Sequence, residues 1–142
     1  MIRKLLNKIK VTRFANSEKH KIYLEGSLLN AFYKTKTIFI HIPKTAGTSL
    51  IKSIYGDVSS EGHRNMLFYK TIFTSELSNY FKFCFVRDPY DRLYSSYKFL
   101  QKGGMNKYDT MAFNMYLKEY KNFEDFVMHG LSQKLLKEII HF

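Results

Sequence analysis

The sequence has no tryptophan and only one cysteine, Cys84. A single cysteine excludes an internal disulfide and a cysteine-rich zinc site. It lies in the apolar run Phe83-Cys84-Phe85-Val86, where a small buried hydrophobe is expected. No apolar stretch approaches the roughly 20 residues that cross a bilayer as a helix. The opening residues, MIRKLLNKIKVTRF, lack the apolar block of a secretory signal. There is no internal repeat, no low-complexity tract, and no His, Cys and Asp at metal-ligand spacing. These absences predict a soluble, cytoplasmic protein without a metal, peripheral to a membrane at most.

Acidic residues are scarce too. Twelve Asp and Glu stand against 23 Lys and Arg, for a formal net charge of +11 over 142 residues. The excess is concentrated at the start. Arg3, Lys4, Lys8, Lys10, Arg13, Lys19, Lys21, Lys34 and Lys36 face only Glu18 and Glu25 in residues 1–36. Such a balance favours anionic partners: acidic glycans, nucleic acid or anionic lipid. No recognised nucleic-acid motif is present, so specific DNA or RNA binding is not expected.

What is abundant is apolar and aromatic side chain, 45% and 17% of residues. That is the composition of a folded domain, and the length suits one core. Ile2, Leu5, Leu6 and Ile9 recur at helical spacing, with the nearby basic residues mostly off that face. Such a helix packs on the body with its basic side in water, or lies on a membrane surface through residues 1–14. Lys21–Leu24 suggests a short strand. The β-branched and aromatic run from Thr37 to Ile42 predicts a buried strand that Pro43 ends. A tight loop, Lys44–Ser49, then leads into a helix up to Tyr55. Residues 56–65 read as a loop, and Thr74-Ser75-Glu76 opens a short helix.

Phe81–Val86 predicts a second buried strand. Asp88 is the expected N-cap and Pro89 the first residue of a helix over Tyr90–Gln101, closed by Gly103-Gly104. Further helices are expected at Thr110–Tyr120 and Phe123–Phe142, the latter broken near Gly130. Strand, loop and helix repeated twice predict an α/β fold, a parallel sheet flanked by helices. A basic segment, 1–36, precedes one domain, 37–142. In such sheets ligands sit beyond the carboxyl ends of the strands, where both polar loops fall.

The first loop suits a phosphate or sulfate. Gly47 lets the backbone approach an anion, and the helix start that follows favours negative charge. Thr45, Thr48 and Ser49 add hydroxyls, and Lys44 a mobile cation. The second loop adds Arg87, a rigid fork for phosphate oxygens. Alone, Arg87 serves equally as an ion-pair partner of Asp88 or Asp91. From the Asp88 cap, Arg92, Ser95 and Phe99 share one helix face.

At this point the runs Ile38–Leu50 and Phe83–Tyr97 become specific. The first resembles the 5′-phosphosulfate-binding motif of the carbohydrate sulfotransferases, in the heparan and chondroitin sulfotransferase branch. The second resembles that family's 3′-phosphate-binding motif. The resemblance implies an α/β fold with a P-loop nucleotide-kinase-like core. It implies 3′-phosphoadenosine 5′-phosphosulfate as co-substrate and no metal. Lys44, Thr45, Ala46, Gly47, Thr48 and Ser49 would hold the 5′-phosphosulfate, and Arg87 and Ser95 the 3′-phosphate. Lys44 would also stabilise charge on the leaving phosphate. His63, in the loop between the motifs, would be the base for an acceptor hydroxyl, with Glu61 as the fallback. The implied acceptor is a carbohydrate, an acidic or surface polysaccharide.

Two other classes bear on these residues. A phosphoryl-transfer kinase needs GxxxxGK[ST], and here Lys44 precedes Gly47. A nucleotide- or polyanion-binding module is the non-enzyme alternative. It draws on the chain ending at Phe142, short of the segment with which the family closes over adenine. The chain is therefore expected to be a C-terminally incomplete sulfotransferase domain.

Overall fold

The computed structural model describes residues 2–59 and 62–139. The chain forms two compact units. One comprises Met1–Ile42 and Ala46–Phe85, the other Pro43–Thr45 and Val86–Phe142.

The first unit opens with helix α1, Ile2–Glu18, followed by a 3₁₀ turn, Lys19–Tyr23. The expected strand at Lys21–Leu24 is therefore helical turn. The cause is local: the Leu24 N–H and the Ser27 hydroxyl both donate to the Lys21 carbonyl. Ser27 also caps α2, Leu28–Thr35, by accepting from the Asn30 amide. Strand β1 covers Thr37–Phe39, and α3 covers Gly47–Tyr55. Helix α4, Met66–Phe73, is capped by Asn65, and a 3₁₀ turn at Thr74–Asn79 leads to β2, Phe81–Phe83.

β1 and β2 pair in parallel, Thr37 opposite Phe81 and Phe39 opposite Phe83. The Ile40 amide extends the ladder by donating to the Phe83 carbonyl at 2.8 Å. Both strands are shorter than expected. The core beneath them gathers Leu29, Phe32, Ile38, Phe39, Phe68, Tyr69 and Ile72. α1 joins it through Ala15, fully buried, and through Phe14, whose ring lies 5.9 Å from that of Phe68.

The expectation of a buried second strand is corrected. Phe81 leaves 68% of its surface exposed, and Cys84 is exposed as well. The aromatic residues of Phe81–Phe85 instead contact one another along the strand, Phe81 with Phe83 and Phe83 with Phe85. Aromatic content signals a pleated surface as readily as a buried one.

In the second unit, α5 runs Pro89–Gln101. Asp88 caps it, accepting from the Tyr90 and Asp91 amides at 2.9 and 3.2 Å, with Pro89 at the first position. Pro lacks the N–H that would go unmatched there. Helix α6, Lys107–Tyr116, starts before the expected Thr110 because Asn106 and Asp109 form a capping box. α7, Phe123–Asp125, passes into a π-helical turn, Phe126–Gly130, and α8 follows at Gln133–Ile139. Gly130 ends the turn against the Tyr120 ring, where a Cβ would lie 2.4 Å from the ring carbon Cζ. The core of this unit is Leu93, Tyr97, Leu100, Leu117 and Phe126.

Candidate active site

The second unit contains a groove of about 400 Å³ walled by α5 and by Lys44. Arg87, Ser95, Lys98, Phe99 and Lys102 line it. Ser95 and Lys98 share one face of α5, three residues apart, and Lys102 caps the C-terminal end of the helix four residues later. Four cations and a hydroxyl therefore converge on one space. Arg87 is loosely held, its Nε 4.0 Å from Asp91. That is the competing ion pair, and it is long and exposed enough to contribute little.

Lys44 is placed by several contacts. Its φ of 64° is left-handed, a conformation that strains a residue with a Cβ. The preceding carbonyl, of Pro43, accepts from Arg92 Nε at 2.9 Å. Its ammonium sits 3.7 Å from the centre of the Phe99 ring. Burial depresses the Lys44 pKa, Asp109 opposes this, and Arg87 adds to the depression. Asp109 is itself buried and fixed by the Met105 and Asn106 amides, at 2.7 and 3.2 Å.

The first unit carries the rest of the loop. Ala46 begins α3 with a left-handed φ of 62° and has no side chain that can cap it. The N-cap residue thus supplies no side-chain oxygen to the first amides of α3, which suits an anion-binding helix start. Thr48 and Ser49 are exposed there. Gly47 is packed against His41 so closely that a Cβ would lie 2.0 Å from the imidazole. Only glycine fits this contact.

His63 also rests on His41. The ring centres are 4.2 Å apart, and His63 Nδ1 lies 3.4 Å from the His41 carbonyl. A carbonyl only accepts, so a hydrogen on Nδ1 would suit this contact and would leave Nε2 as the acceptor nitrogen. Burial, with the charge of His63 as the lesser cause, lowers the His41 pKa to about 4. Its enclosed Nδ1 has no hydrogen-bond partner among the described residues. His41 is thus a neutral spacer between Gly47 and His63.

The structure thus brings Lys44, Arg87 and Ser95 to one groove, and Gly47 and His63 to one histidine. Glu61 lies outside the described residues. Sequence reasoning missed Lys98 and Lys102, although their spacing from Ser95 was a readable signal. Among the described residues, no group of His, Cys, Asp and Glu is arranged to hold a metal. No helix among them is long and apolar enough to cross a membrane.

No curated protein and no solved structure matches the chain. Residues 30–141 match the family model described as "Sulfotransferase family". That match takes in both strands, the loop after β1, the groove on α5 and His63. The chain belongs to the sulfotransferase family, whose chemistry is sulfuryl transfer.

Proposed function

We propose that the protein transfers a sulfuryl group from 3′-phosphoadenosine 5′-phosphosulfate to a carbohydrate hydroxyl, on a nucleotide-kinase-like core. The observation that carries this is the groove itself. Arg87, Lys98 and Lys102 line the groove together with the Ser95 hydroxyl, a donor set that fits a terminal phosphate dianion. ADP has no 3′-phosphate to use it.

When bound, the co-substrate supplies a sulfuryl group on a phosphate that is already a good leaving group. Arg87, Ser95, Lys98 and Lys102 hold the 3′-phosphate. The uncapped amides at the start of α3, with Thr48 and Ser49, favour the 5′-phosphosulfate. Lys44 stabilises the negative charge that develops on the leaving phosphate. His63 Nε2 accepts the proton of the acceptor hydroxyl as the new oxygen–sulfur bond forms. Catalysis is then mainly positioning and charge.

The test is calorimetric titration of the full chain with 3′-phosphoadenosine 5′-phosphate and with ADP. The bisphosphate should bind more tightly. Arg87→Ala should remove most of that preference, since a charged hydrogen bond contributes about 1.5–3 kcal/mol. Equal affinities for the two nucleotides would overturn the assignment.

A further inference from the structure

α1 carries apolar residues on two sides. Val11, Phe14 and Ala15 pack towards α4, and Ala15 is fully enclosed. Leu5, Leu6 and Ile9 instead leave 59%, 52% and 40% of their surface exposed. At about 3.6 residues per turn the two sets lie on roughly opposite sides of the helix. Packing that buries the first set necessarily turns the second outward, and no rotation of α1 covers both.

The outward stripe has charged borders. Lys8 falls on one shoulder, Lys10 on the other, and Arg13 at its end. No acidic residue precedes Glu18, and Glu18 is already paired with Lys21. An apolar strip between exposed lysines is the pattern of a helix lying in a membrane interface, stems in the acyl boundary and ammonium groups among headgroups.

We propose that this face seats α1 on the surface of an anionic lipid bilayer. A second copy of the chain fits less well, because two such faces would bring like charges together. Anionic headgroups supply the opposite sign. The contact is shallow, since α1 is neither long nor apolar enough to span a membrane. With three apolar side chains and a few cations it is weak and reversible, suited to enriching the protein at a surface. The proposal is independent of the sulfuryl-transfer reading.

The experiment sediments the full chain with phosphatidylcholine vesicles, with or without about one-third phosphatidylserine, at low and near-physiological salt. Wild type should bind only the anionic vesicles, less at higher salt. Lys8→Gln and Lys10→Gln should each weaken binding about fivefold. The double variant Leu6→Ser, Ile9→Ser should weaken it by about tenfold or more. Those side chains are exposed, and unchanged thermal unfolding would confirm an intact fold. Wild type that ignores anionic vesicles would overturn the proposal, as would undiminished binding by the serine variant. A dimer that dissociates in the serine variant, without lipid binding, would assign the face to a second copy instead.

Discussion

Lys44 holds its ammonium 3.7 Å from the centre of the Phe99 ring, one turn of α5 beyond Ser95. The ring face orients the charge without neutralising it, as a carboxylate would. The cation thereby stays available to an anionic ligand. The same shielding from water is the main cause of its depressed pKa.

Replacing Phe99 with Leu keeps an apolar wall but removes the ring face. A surface cation–π contact contributes about 0.5–1 kcal/mol, so turnover should fall about two- to fivefold. Affinity for 3′-phosphoadenosine 5′-phosphate should change less. Steady-state kinetics with the co-substrate varied would separate kcat from KM. An unchanged kcat would show that the ring does not position Lys44.

Lys98→Ala and Lys102→Ala should each weaken bisphosphate binding, by about two- to fivefold, because exposed charge pairs contribute up to about 1 kcal/mol. The effect should shrink as salt rises. Arg87→Ala should do more than either, since its fork makes directed hydrogen bonds. Titrations at two ionic strengths would check the ordering. Lysine variants indistinguishable from wild type at both would remove them from the 3′-phosphate site.

Gly47→Ala should destabilise the first unit by about 1–3 kcal/mol, the usual effect of overpacking a tight contact. His41→Ala should make room for the added methyl. The double variant should then be more stable than the two single losses summed would allow. Denaturant unfolding of the four proteins gives that coupling. Additive losses would mean that another neighbour, not His41, excludes the Cβ.

The acid limb of the stability profile should report His41. Its folded pKa is about 4 against an ordinary value of 6.5. Between those values the unfolded chain binds more protons, so stability rises with pH. The contribution is fully present above 6.5 and is lost as pH falls towards 4. His41→Phe should flatten that part of the curve, read from denaturation midpoints between pH 4 and 7. An unaltered slope would mean that His41 titrates normally.

Much of the candidate site was legible because its residues sit at punctuated positions. Pro43, Gly47, Asp88 and Pro89 mark strand ends and helix starts by their backbone chemistry alone. The cap at Asp88 and the parallel pairing of the strands followed directly. α2 and α4 were not legible. Their starts rest on Ser27 and Asn65 caps without a glutamate partner, and α4 has no polar face to set a period. The groove was half legible. Arg87 and Ser95 stood in a motif, whereas Lys98 and Lys102 resemble ordinary solvated lysines until α5 is seen to face Lys44. Cys84 failed because pattern cannot tell a strand covered on both sides from one left open.

The left-handed residues at 44 and 46 differ in what could relieve them. Each carries a Cβ in a conformation that disfavours it by about 1–2 kcal/mol, and glycine would remove that penalty at either position. At Ala46 nothing chemical is lost, because only a methyl goes. At Lys44 the ammonium goes with it. The loop therefore holds one strain that an engineer can release and one tied to the lysine proposed to act in transfer, so thermal stabilisation here has an available route through residue 46 and, on that proposal, a closed one through residue 44.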